Sequence, residues 1–104
     1  MLNIGPRKIV QVTVQNPTIN VGNDSYFLVQ APAGTKPKVR LTPGKSYGHL
    51  ILIESALQHP FIMTDKIDPY RMELQGTITM RGADTLLLVW SGSRWVQVAY
   101  SKNS

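Results

Sequence analysis

Along most of this chain apolar and polar residues alternate with a period of two, in short runs that end at glycine, proline or asparagine. That period places successive side chains on opposite faces of an extended strand. Lys8 to Val14 is rich in β-branched residues, with Val10, Val12 and Val14 on one face and Ile9, Gln11 and Thr13 on the other; Gly5-Pro6 and Asn16-Pro17 bound it. A short strand over Thr18 to Val21, the turn Gly22-Asn23-Asp24-Ser25 and the aromatic-rich run Tyr26 to Gln30 together predict a hairpin. After the Pro32 to Pro37 connection, Lys38 to Thr42 sets Lys38 and Arg40 outward and Val39 and Leu41 inward, as in an edge strand protected by charge. His49 to Glu54 is apolar on both faces and predicts a central strand, with a short helix over Ser55 to Gln58 as the competing reading. Phe61 to Met63 is another apolar patch, and Thr64 to Tyr70, with Asp68-Pro69, predicts a surface loop. Met72 to Arg81 reads as one half-buried strand, with Met72, Leu74, Ile78 and Met80 inward and Gly76 marking a bulge or close backbone approach.

The C-terminal stretch, residues 84 to 103, organises the rest. Two strand-like runs meet at Gly92-Ser93, a loop that suits a type II′ hairpin turn. The register that follows sets Ser91 opposite Arg94, Trp90 opposite Trp95, Leu88 opposite Gln97 and Leu86 opposite Ala99. Thr85, Leu87, Val89, Val96, Val98 and Tyr100 occupy the second face, so the hairpin is apolar on both sides and needs two covers. Leu86, Leu88, Trp90, Trp95, Val96, Val98 and Tyr100 are therefore the candidate packing and assembly residues. One cover is the chain's own core; the second is another copy or a partner protein.

Short strands with a turn signal about every ten residues predict one all-β domain over 1–104, a small antiparallel β-sandwich or barrel of mostly antiparallel strands, with residues 1–7 as a flexible arm. Neither internal repeats nor low-complexity segments are visible. At 104 residues core burial is limited, so oligomerisation would add stability. The chain has no cysteine, which excludes disulfides, thiolate metal sites and cysteine nucleophiles. No apolar run reaches membrane-spanning length and no signal-peptide pattern opens the chain, so production in the cytoplasm is expected.

The net charge of +5 lies entirely in residues 1 to 45, where Arg7, Lys8, Lys36, Lys38, Arg40 and Lys45 face Asp24 alone. Lys36, Lys38, Arg40 and Lys45 form a candidate basic contact patch for an acidic surface. Catalytic chemistry is not expected. There is no Gly-x-Ser-x-Gly elbow and no phosphate-binding glycine loop, and a metal site would have to combine His49 and His59 with Asp65 or Asp68. No cofactor is expected either.

The run Leu86-Leu87-Leu88-Val89-Trp90-Ser91-Gly92-Ser93-Arg94-Trp95-Val96-Gln97-Val98, followed by Ser101-Lys102-Asn103 and led in by Gly76 to Met80, resembles a motif of bacteriophage virion proteins. In that group an aliphatic strand ends in an aromatic-Asp-Gly turn, then Trp, an acidic residue and a Ser-x-Asn ending; here Ser91 replaces the Asp and Gln97 the acidic residue. The resemblance implies a β-rich homotrimer in a virion and a non-enzymatic structural role. Because the chain shows neither heptads nor a repetitive shaft, the expected role is a capsid decoration (cement) protein bound to the major capsid protein. The alternatives are a tail-fibre, spike or baseplate subunit with a carbohydrate-binding surface for a host glycan, and a small basic nucleic-acid-binding barrel. Nucleic acid is not the expected partner, because the tryptophans are better explained as packed hairpin residues.

Overall fold

The computed structural model describes residues 6–56, 59–64, 72–74 and 76–103. The all-β class holds: the described residues form ten strands and no helix. The first six strands alternate between two sheets. β1 (Lys8–Gln11), β3 (Tyr26–Gln30) and β5 (Leu50–Ser55) lie side by side and parallel in one sheet, whereas β2 (Thr18–Ile19), β4 (Lys38–Leu41) and β6 (Phe61–Met63) lie parallel in the other. Each pair of strands makes one coil of a β-solenoid-like arrangement, stacked three deep. The remaining strands close it: β7 (Met72–Glu73) and β8 (Ile78–Met80) fall in different sheets, and β9 (Thr85–Trp90) with β10 (Trp95–Ser101) forms the C-terminal hairpin. The larger sheet runs β1-β3-β5-β9-β10-β7 and the smaller β2-β4-β6-β8.

This architecture corrects the antiparallel sandwich or barrel expected from the sequence. Five of the eight strand pairings are parallel. The turn at Gly22 to Ser25 does not close a hairpin; it carries the chain from β2 in one sheet to β3 in the other. An arch between sheets and a hairpin within one ask for the same turn residues, so the local pattern does not separate them. Nor is the stacking visible as a repeat. Lys8 lies beside Phe27, 19 residues on, but Phe27 lies beside Ile53, 26 residues on.

β4 is likewise not an edge strand, since it lies between β2 and β6. Lys38 and Arg40 are charged because they face outward from the smaller sheet while Val39 and Leu41 are fully buried. The single strand expected over Met72 to Arg81 is two strands, and the chain changes sheet around Gly76, whose φ of 115° is open to glycine alone at little cost. The expected strand Lys8 to Val14 ends at Gln11, leaving Val12 buried and Val14 exposed. The loop beyond Thr64, the helix alternative beyond Ala56 and arm residues 1–5 lie outside the described residues.

The two sheets bury one apolar core between them. Phe27, Val29, Ile51, Ile53, Leu86, Leu88 and Trp95 come from the larger sheet, and Ile19, Val39, Leu41, Phe61, Met63 and Met80 from the smaller. Each alternates with an outward neighbour, as the period of two requires. Among the described residues every buried side-chain nitrogen or oxygen has a hydrogen-bond partner.

Candidate assembly and binding surfaces

The hairpin forms with the predicted turn: Ser91 N–H donates to Arg94 O, Gly92 has a φ of 98°, and Trp90 pairs with Trp95. The register holds to Leu88 opposite Gln97 and then shifts, so that Leu87 faces Ala99 and Leu86 faces Tyr100, not Ala99. A bulge at Val98 supplies the extra residue. It sends Val98 outward, 53 % exposed, and moves Tyr100 from the outer face to pack against the core.

Leu86, Leu88, Trp90 and Trp95 are consumed by the subunit's own interior. Trp95 is fully buried, its ring centroid 5.2 Å from that of Trp90 and 5.7 Å from that of His49, and its Nε1–H donates to Thr42 O at 3.0 Å. That bond ties the hairpin to the chain just beyond β4, in the opposite sheet. Gly44 seals the pair, since a Cβ there would stand 2.3 Å from Trp90 Cγ.

The second face of the hairpin belongs to a larger surface. In register across the larger sheet, Tyr26 lies beside Leu52, Leu87 and Ala99, and Leu50 beside Val89 and Val96; Ile9 and Leu28 lie beside Glu54 and Thr85. All point away from the core; Leu28, Leu50, Leu52, Leu87, Val89 and Val96 are half-buried there, and Ile9 and Ala99 are exposed. The charged side chains here form opposite-sign pairs: Arg7–Glu54 at 3.9 Å, with Glu54 on the central strand β5, Lys8–Asp24 at 3.1 Å beside β1, and Arg94–Glu73 on the β7 side. The face is thus largely apolar, and the charges of these three ion pairs cancel.

The opposite surface of the molecule differs. On the outside of the smaller sheet Arg40 lies beside Thr18, and Lys38 beside Ile62, which lies beside Thr79. Lys36 precedes β4, and Lys45 follows it in the loop that runs past the Trp pair. None of Lys36, Lys38, Arg40 and Lys45 forms an ion pair with a described residue.

Two groups that the sequence reading did not single out are also placed by the fold. Asp84, fully buried, accepts hydrogen bonds from Arg81 N–H at 3.1 Å, Asn103 N–H at 2.7 Å and Tyr100 O–H at 3.4 Å. Asn103 Nδ2 donates to Ala83 O, and Ser101 Oγ–H to Asn103 Oδ1. The Ser-x-Asn ending is therefore a clasp that fastens the last strand to the turn before β9. Burial and, next, the Asp84 carboxylate raise the Tyr100 pKa above 10.0; Tyr26 is raised too, chiefly by its hydrogen bond to Glu54.

Of the candidate metal ligands, Asp65 and Asp68 lie outside the described residues, and the two histidines are not brought together. His49 and His59 flank opposite ends of β5, which at about 3.3 Å per residue separates them by roughly 20 Å. The His49 ring is engaged on both sides: Nδ1 accepts from Lys45 N–H at 3.2 Å, so Nε2–H donates to Asp24 O at 3.0 Å. His59 instead lines a concavity of about 550 Å³ with Arg7, Leu28, Gln30, Glu54 and Ala56. No group of three metal-ligating side chains occurs among the described residues.

Compared with known proteins, the chain matches no family model and no curated sequence. The resemblance to phage virion proteins rests on the C-terminal residues that carry it.

Proposed function

We propose that this chain is a non-enzymatic structural subunit of a bacteriophage particle, a capsid decoration protein that assembles as a homotrimer. The observation that carries the reading is the division of the surface into two unlike faces. The outer face of the larger sheet is largely apolar and its ion pairs balance in charge, which suits a contact between identical copies: these pairs bring no net charge against themselves, and an apolar patch with paired charges resembles a protein interface. The occupant of this face is a further copy of the chain. The unpaired cations of the smaller sheet, Lys38 and Arg40 with Lys36 nearby, then remain outside and meet an acidic shell surface. The C-terminal resemblance to trimeric virion proteins supports the same assignment.

The nucleic-acid alternative loses its stacking platform, because Trp90 and Trp95 lie in the core. A fibre or baseplate position with a carbohydrate-binding surface is retained as a second reading because one aromatic side chain, Tyr47, is openly exposed. Cryo-electron microscopy of particles carrying the subunit distinguishes them. Three-fold density at regular sites on the shell supports decoration, density confined to a fibre or baseplate supports the second reading, and particles lacking the subunit altogether overturn both.

A further inference from the structure

We propose that the end of the molecule at the hairpin turn is a saccharide-binding site, with the ring of Tyr47 as its platform. Tyr47 is 84 % exposed, which is exceptional among the described aromatic side chains: both tryptophans and both phenylalanines are buried. The Tyr47 ring lies against the backbone of Gly92, where an added Cβ would stand only 2.1 Å from Tyr47 Cε1. Part of the ring thus lies beside the turn, and most of the side chain is presented to solvent.

Beside the ring is a shallow cleft of about 240 Å³ lined by Asn23, Ser25, Lys45, Ser46, Tyr47 and His49. The side chains of Asn23, Ser25, Lys45 and Ser46 make no hydrogen bond to a described residue, so an amide, two hydroxyls and an ammonium are free to bind. His49 forms a fixed wall, its ring nitrogens taken by Lys45 N–H and Asp24 O. Three separate connections meet here: the arch before β3, the arch before β5 and the hairpin turn.

This chemistry suits a pyranose ring. Its C–H groups rest on the negative face of an aromatic ring, and its hydroxyls need partners that both donate and accept, which Asn and Ser supply. A phosphate or carboxylate ligand would call for more than the single cation Lys45. A protein partner would call for a wider apolar surround than a cleft lined by Asn, Ser and Lys provides. The inference deepens the second reading above, which rests on the same exposed Tyr47, and its test on the free subunit does not depend on where the subunit sits in a particle.

Saturation-transfer difference NMR of the purified protein with the methyl glycosides of glucose, galactose, N-acetylglucosamine and rhamnose tests it. Transfer to the ring protons of at least one is expected, with a Kd on the order of 1 mM, as befits a small shallow site, and with amide shifts centred on residues 45–49. Tyr47→Ala should weaken binding by about tenfold or more without altering the circular dichroism spectrum, and Tyr47→Phe should stay within about threefold of the wild type. The proposal is overturned by absence of transfer to all four glycosides, by unchanged binding in Tyr47→Ala, or by transfer to adenosine monophosphate and to no sugar.

Discussion

Replacing Trp95 tests the packing of this fold at its most buried large side chain. Trp95→Ala removes a fully buried indole that packs on Trp90 and His49, which for Trp or Phe costs about 3–5 kcal/mol. It also deletes the Nε1–H bond to Thr42 O, worth about 1 kcal/mol. The sum, about 4–6 kcal/mol, is comparable to the whole stability of a domain of this length, about 5–15 kcal/mol. Trp95→Phe retains most of the ring contact and loses the bond, so its expected cost is about 1–3 kcal/mol. Urea unfolding followed by far-ultraviolet circular dichroism measures both, and avoids fluorescence because Trp95 is itself one of the two emitters. A change below about 1 kcal/mol in Trp95→Ala would refute the packing described here.

Three further outcomes are expected. Asp84→Asn places an amide group against N–H donors in a buried site and should cost about 2–4 kcal/mol, whereas Asn103→Ala, which opens the clasp at its outer end, should cost about 1–2 kcal/mol; thermal unfolding compares them. Tyr26 and Tyr100 hold their protons above the ordinary value of 10.0, so the stability each contributes is complete below that pH and is lost as pH rises through the raised folded value. Tyrosinate absorbance should therefore show two of the tyrosines titrating late in the folded protein but not in urea, and Tyr100→Phe should remove one late step. Charge reversal of Lys36, Lys38, Arg40 and Lys45 to glutamate should leave the fold intact and weaken attachment to isolated shells, most visibly at low salt where these charges are least screened; unchanged occupancy would remove the electrostatic part of the proposed contact.

How much of this was legible depends on whether the interaction is local. The Gly92-Ser93 turn fixes the pairing of Trp90 with Trp95 because the loop itself sets the register. The bulge at Val98 carries no such signal: Gln97, Val98 and Ala99 contain no glycine or proline, and the shift is set by where Tyr100 reaches the core and Asp84. The period of two correctly turned Val39 and Leu41 inward, but it is silent on which sheet a strand joins and on which face of the two-sided β5 is buried. Parallel coils unite strands 19 to 26 residues apart without sequence repetition, and that long-range pairing is what the expected antiparallel fold missed. The two-sided apolar character of the hairpin was readable, as was the unbalanced charge of β4. Asp84 was not, since its burial follows from the clasp with Asn103. Tyr47 left one trace, an aromatic side chain set between Gly44 and Gly48 in a loop.

Sedimentation velocity on the purified subunit, over a wide concentration range and from low to high salt, tests most directly whether the outer face of the larger sheet joins copies of this chain. A species of three times the subunit mass is expected. It should persist at high salt, because the face is largely apolar and its ion pairs balance in charge, and it should dissociate to folded monomers in Leu52→Lys and Leu87→Lys, whose side chains lie together on that face. A wild-type protein that stays monomeric at the highest concentration, or a trimer indifferent to both lysines, would contradict it.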